Sequence, residues 1–189
     1  MKDAYDFEQC SAEDLNAIAN KLRSSLRSKD AMVKQLKLAA QALEHLPQEV
    51  SVLGSARQVL EEVLVDKHVL GSKHKDVRMY LAVCLAHMLR IYAPDTPWED
   101  SRLEVSCGSL QHAHHAQHDS ANCWVCCCAI KSFTIAMGCP GLTCLQPLFD
   151  LLLWSIQQVG EFQAPMFELA VSVLQTISQV SWLWAARLK

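Results

Sequence analysis

The chain lacks most of the features that announce an enzyme, a secreted protein or a membrane protein. It has no glycine-rich phosphate loop, no paired catalytic carboxylates and no Ser-His-Asp order. It has no surplus of positive charge. Its 17 Lys and Arg face 20 Asp and Glu, a formal net charge of −3, which gives no basic field for nucleic acid. The opening MKDAYDFEQC has no apolar run and no cleavage site, so secretion is not signalled. The nine cysteines are therefore expected as reduced thiols in an intracellular compartment. Two charge-free runs occur, and neither reads as a membrane span. Residues 132–149 are broken by Gly138, Pro140, Gly141 and Pro147, and residues 169–186 carry Ser172, Gln175, Thr176, Ser178, Gln179 and Ser181. An alternating pattern of useful length, the mark of a strand, is also missing.

What is present is helical periodicity. Ser11 with Asp14 makes a capping-box-like start, and Leu15, Ile18, Ala19 and Leu22 follow at helical spacing. Met32, Leu36, Ala39, Ala40 and Leu43 mark a second helix, with Lys34, Lys37 and Gln41 turned outward and Pro47 closing it. Ala56, Val59, Leu60, Val63 and Leu64 mark a third. Val77, Leu81, Cys84, Leu85, Met88 and Tyr92 mark a fourth, ended by Pro94 and Pro97. That helix also carries Met79, Val83, Leu89 and Ile91 on its remaining surface, so it is expected between neighbours. Leu148, Leu152, Ser155 and Val159 suggest a fifth helix. Met166, Leu169, Ala170, Val173, Leu174 and Ile177 suggest a sixth, with Pro165 near its first turn. The fold class is all-α, and short-linked helix pairs fit an α-solenoid of HEAT-like pairs better than a compact bundle. Asp76-Val77-Arg78 resembles the start of the second helix of a HEAT repeat.

A more specific pattern runs through residues 28–104. SKDAMVKQLKLAAQALEHL (28–46) is followed by HKDVRMYLAVCLAHMLRIYAPDTPW (74–98). Within the second stretch, Asp76-Val77-Arg78 opens a helix, Cys84 sits mid-helix, Arg90-Ile91-Tyr92 comes next, and Ala93-Pro94-Asp95-Thr96-Pro97-Trp98 closes it. This order and spacing resembles the N-terminal region of the cohesin-regulator family named for precocious dissociation of sisters, with Thr96 where the family usually has alanine. PLFDLLLWSIQQVGEFQAPMFELAVSVLQTISQV (147–180) resembles that family's next helix pair. The resemblance implies a long HEAT-repeat protein of which this chain is an N-terminal fragment. It implies a non-enzymatic scaffold in sister-chromatid cohesion, located in the nucleus, with no cofactor, no membrane and no small-molecule substrate. Its partners would be the cohesin complex and its release and maintenance factors, bound through short peptide motifs, with chromatin reached indirectly. The residues implied in partner binding are Ala93, Pro94, Asp95, Thr96, Pro97 and Trp98. On chemistry alone, two prolines make this a rigid turn between helices. A rigid turn with a carboxylate and a flanking aromatic can also dock a peptide at low entropic cost.

Between the two matching stretches the composition changes abruptly. Residues 105–146 hold one Asp (Asp119), one Lys (Lys131), seven cysteines and four histidines, whereas residues 147–189 have no cysteine and no histidine. The edges, Glu104-Val105-Ser106-Cys107 and Cys144-Leu145-Gln146-Pro147, can be encoded as the ends of an ordinary intron. Three parts result. Residues 1–104 are the N-terminal HEAT-like helices. Residues 105–146 are an insert foreign to the family, read as a translated intron and expected to be disordered. Residues 147–189 are the next HEAT-like pair, truncated where the family pattern stops at Val180-Ser181. Deleting residues 105–146 is expected to raise the thermal midpoint measured by circular dichroism. A cooperative loss of stability, or stoichiometric zinc whose removal unfolds the helices, would refute this.

The zinc alternative rests on Cys123 and Cys126 at knuckle spacing, with His115 and His118 as further ligands. The four residues between the two pairs are short for a common finger, and Cys127 and Cys128 would compete. A zinc-binding module and a generic HEAT-like adaptor thus stand beside the cohesin scaffold. Elsewhere, Cys84 is expected as a buried small hydrophobe. His45 and His87 are expected at helix surfaces or ends. Lys67-His68 and Lys73-His74-Lys75 are expected in a solvated loop. Trp154, Trp182 and Trp184 are expected in the core or an exposed tail.

Overall fold

The structure is a computed structural model and describes residues 12–95, 97–98, 146–158 and 166–187. Among these residues it is all-α: α1 (Ala12–Ser24), α2 (Lys29–Glu44), α3 (Ala56–Leu64), α4 (Lys67–Leu70), α5 (Lys75–Tyr92), α6 (Gln146–Gln157) and α7 (Met166–Arg187), with a 3-10 turn at Val50–Leu53.

The first helices form where apolar spacing and end charges agree. α1 buries Leu15, Ile18, Ala19 and Leu22, and it carries Glu13 and Asp14 in its first turn with Lys21 and Arg23 in its last. Both sets of charges complement the helix dipole. α2 buries Met32, Leu36, Ala39, Ala40 and Leu43 as expected, with Lys34 and Lys37 exposed. Its last turn has no basic residue of its own. Arg90 of α5 supplies one, donating from Nη2 to the carbonyls of Leu43 (2.9 Å) and Leu46 (2.8 Å). Those carbonyls lie at and just beyond the end of the helix, where the ladder stops, and Arg90 adds a charged donor to the local His45 and Leu46 N–H groups that reach the Leu43 carbonyl. The 3-10 turn then runs into Gly54, whose φ of 48° is the left-handed conformation that favours glycine. α3 follows with Ala56, Leu60, Val63 and Leu64 buried and Val59 half-buried.

α5 is the centre. It packs against α2 on one side and against α6 and α7 on another, while α1 packs on α2 and α3. Twelve of its eighteen residues are buried, including every position from Leu81 to Met88. This all-round burial is what the apolar surface predicted. The helices thus stack as packed pairs in the manner of a HEAT-like solenoid. Leu148, Leu151, Leu152 and Val173 join the same hydrophobic core as the α1–α5 side chains, so the helices on either side of residues 105–145 share one core. Residues 105–145 themselves, and with them the expected disorder of the insert, lie outside the described residues, as does Val159 of the fifth predicted helix.

Three expectations need correction. α4, four residues long, was not predicted; Asp66 starts it by accepting the His68 backbone N–H at 2.8 Å. Leu174, placed in the core by the periodic reading, is 44% exposed. The inward stripe of α7 runs instead through Ala170, Val173, Thr176 and Val180. Thr176 can be buried because its hydroxyl donates to the Ser172 carbonyl at 2.8 Å, and Ser155 of α6 does the same toward Leu152 at 2.6 Å. His87 is not at a surface but in the core, 4% exposed.

Candidate functional site

The segment at the end of α5 is held from three directions. Helical bonding continues to Ala93, whose N–H donates to the Leu89 carbonyl at 2.9 Å, and then stops, since Pro94 has no N–H to offer. The Asp95 N–H donates to the Tyr92 carbonyl at 2.9 Å and closes the turn. Gln48, ahead of the 3-10 turn, donates from Nε2 to the Ala93 carbonyl at 3.2 Å. Pro94 and Asp95 are exposed, Ala93 and Pro97 are half-buried, and Thr96 lies outside the described residues.

The third anchor is α3. Tyr92 donates its phenolic O–H to the Glu61 carboxylate. Arg57 Nε donates to the same oxygen of Glu61 at 2.9 Å, and its guanidinium lies 5.4 Å from the centroid of the Tyr92 ring. Trp98 Nε1 donates to the backbone carbonyl of Glu61 at 2.9 Å. Burial, and then the Glu61 hydrogen bond, push the Tyr92 phenol well above its usual range, so it stays a donor. The Glu61 hydrogen bond raises the Arg57 guanidinium, which stays charged.

Trp98 differs from the flanking aromatic expected at a docking surface. It is 3% exposed, so its ring belongs to the core and its indole N–H is a fastener. The surface the turn offers is Pro94 and Asp95. Gln48, Arg57 and Glu61, which hold that surface, were not identified from the sequence. They lie 31 to 45 residues from the groups they meet, a separation that no local pattern reports.

The other candidates sort differently. Cys84 is buried, with Sγ donating to the Leu36 carbonyl at 3.5 Å, and burial pushes its thiol far up. It is a packing residue and not a nucleophile. Lys67, His68, Lys73, His74 and Lys75 are exposed around α4 and the start of α5. Trp154 is half-buried on α6, with the Arg78 guanidinium 4.1 Å from its ring centroid. Arg78 is thus a link between α5 and α6. Cys123, Cys126, His115 and His118 lie outside the described residues, as do the side chains of Trp182 and Trp184. Among the described residues no group of three or more His, Cys, Asp or Glu is arranged to hold a metal, and no helix is long and apolar enough to cross a membrane.

Comparison with known families places this turn. The family model described as sister chromatid cohesion protein PDS5 matches residues 30–105, which run from α2 through α5 and the whole of residues 93–98. Residues 30–105 are homologous to the PDS5 family. The chain is 35% identical over 91 residues to sister chromatid cohesion protein PDS5 homolog A of Arabidopsis thaliana, covering 47% of this chain and 6% of the relative. It is 36% identical over 80 residues to PDS5 of Saccharomyces cerevisiae, covering 41% of this chain and 6% of the relative. It is 33% identical over 69 residues to PDS5 homolog A of Homo sapiens, covering 36% of this chain and 5% of the relative. The chain therefore spans only a small part of the curated relatives it matches. No solved structure matches it. The family model's match ends before α6, so the resemblance of residues 147–180 to the family's next helix pair rests on their sequence alone.

Proposed function

We propose that this chain supplies part of a non-catalytic, cohesin-associated helical scaffold in the nucleus, and that residues 93–98 dock short peptides from cohesin release and maintenance factors. The observation that carries this is the position of the turn. It lies inside the residues homologous to PDS5, and it stands on a rigid base while presenting an exposed carboxylate beside a proline. A recognition surface held by fixed elements binds without first having to be ordered. The Asp95 carboxylate can accept from an Arg or a backbone N–H of a partner peptide.

Asp95→Lys is expected to weaken binding of a cohesin-regulator peptide by about tenfold or more, a loss of at least about 1.4 kcal/mol, with helical content unchanged. The test is a titration of labelled peptides from release and maintenance factors against both proteins, with circular dichroism on each. Equal affinity would remove the turn from the binding site. Loss of helicity together with binding would assign the turn a structural role only. If no such peptide binds the parent chain, the reading as a generic helical adaptor takes precedence. Metal analysis of the purified protein addresses the zinc alternative.

A further inference from the structure

Glu61 meets the turn segment at two points. Its carboxylate accepts from the Tyr92 phenol, the last residue of α5, and from Arg57 Nε at 2.9 Å. Its backbone carbonyl accepts from the Trp98 indole at 2.9 Å. The exposed residues Pro94 and Asp95 lie between Tyr92 and Trp98. The segment is thus tied to one residue of α3 on both sides of its exposed tip. Arg57 completes the arrangement: it pairs with Glu61 one helical turn away and reaches over the Tyr92 ring. The Glu61 side chain is 13% exposed, so water competes weakly for these bonds.

We infer that Glu61 is a positioning residue for the docking turn: with Arg57 it forms a bracket on α3 that fixes Pro94 and Asp95 in the geometry a partner peptide meets. This rests on the reading of residues 93–98 as a docking surface. It adds that affinity depends on an α3 residue that need not touch the peptide. The bracket acts by removing freedom from the turn before binding, so its loss makes the partner order the turn at the cost of affinity.

Two variants dissect the bracket. Glu61→Ala removes the acceptor for Tyr92 and Arg57 but leaves the backbone acceptor for Trp98. Glu61→Gln keeps one acceptor oxygen, as many as Tyr92 and Arg57 share, and replaces the charge and the second oxygen with an amide NH2. The experiment measures peptide affinity, with labelled peptides from cohesin release and maintenance factors, and native-state hydrogen exchange of the Asp95 amide, which is bonded to the Tyr92 carbonyl at 2.9 Å. Glu61→Ala is expected to lower affinity about fivefold to tenfold, the scale of ordering a short segment on binding. It should also speed exchange at Asp95, while the amides at the centre of α5 exchange as in the parent. Glu61→Gln is expected to restore most of both. A general loss of stability would move the α5 amides as well and would not be rescued by glutamine. Should Glu61→Ala fail to fold, Tyr92→Phe deletes a single hydroxyl from the same bracket and is expected to act in the same direction. Parent-like Asp95 exchange in these variants overturns the inference. So does parent-like affinity in them when Asp95→Lys abolishes binding. If Asp95→Lys binds like the parent, the docking reading fails and the exchange measurement alone decides whether Glu61 positions the turn.

Discussion

Replacing Leu85 by alanine is expected to destabilise the chain by about 2–5 kcal/mol, the range for large-to-small changes at fully buried positions. Leu85 is 0% exposed and sits in the stretch of α5 where every residue is buried. The cost has two parts, the lost transfer of the isobutyl group and the cavity that neighbours from several helices cannot all move to fill. α5 touches α2, α3, α4, α6 and α7, so a void in it weakens most of the described structure at once. In a solenoid each pair relies on its neighbours to cover its apolar face, which leaves little reserve for such a loss. Urea denaturation followed by circular dichroism measures the effect. A midpoint equal to the parent's would mean that Leu85 is not enclosed as the structure has it.

Acidification is expected to destabilise the folded chain through His87. His87 is 4% exposed, and among the described residues neither ring nitrogen has a hydrogen-bond partner. Burial, then the positive charge of Arg90, then His45, push its pKa down from 6.5 to about 4. The sign follows from which state takes the proton. Between these two values the unfolded chain binds a proton at His87 and the folded chain does not, so stability falls as the pH drops from about 6.5 towards about 4. Above 6.5 the imidazole is neutral in both states and the full stability is present. The total loss from this residue is about 3 kcal/mol. His87→Leu removes the titrating group and two unpartnered nitrogens of the core. The variant is expected to match or exceed the parent at pH 7 and to keep more of its stability at pH 4. Denaturation midpoints of both proteins across this range give the difference profile, in which groups common to both cancel. Parallel profiles would show that His87 takes up a proton as readily folded as unfolded.

His87 also marks a limit of sequence reading. In α1, α2 and α3 a polar face alternates with an apolar one, and the period of 3.6 picks out most of the buried residues, down to Ala19 and Ala40, though it misses Ala42 and includes the half-buried Val59. α5 is apolar nearly all round, so period alone cannot say which of its few polar residues is inside. Arg78, Arg90 and His87 look alike in the sequence. Arg78 finds the ring of Trp154 and Arg90 finds carbonyls at the end of α2, whereas His87 is enclosed without a partner among the described residues. α7 poses the same difficulty. It has Leu at 174 and Thr at 176, and apolarity favours the first, yet Thr176 satisfies its hydroxyl on the preceding turn and takes the inner position. α4 is too short to show a period. At the candidate site, the end of α5 and the turn after it were legible because Pro94 and Pro97 stand together in sequence. Their bracket was not, because Glu61 comes near them only once α3 and α5 have packed. Trp98 was read as an offered aromatic because sequence reports that a residue is flat and apolar but not which way it faces.

The bond from Arg90 to the end of α2 bears on how the chain acquires its structure. Leu43 and Leu46 precede Arg90 by 47 and 44 residues. The end of α2 has local donors, the His45 and Leu46 N–H groups on the Leu43 carbonyl, and gains a charged one only after a distant segment has become helical and docked. A contact this remote closes a long loop, and loop closure slows folding more than it weakens the folded state. The early part of α2 can form from local bonds alone. Its end and the end of α5 then become protected together, as one cooperative unit and not as two helices that fray independently. That unit includes Tyr92, and so the foot of the turn at residues 93–98. The exposed tip at Pro94 and Asp95 is in this way complete only when two segments far apart in the chain have finished folding against each other.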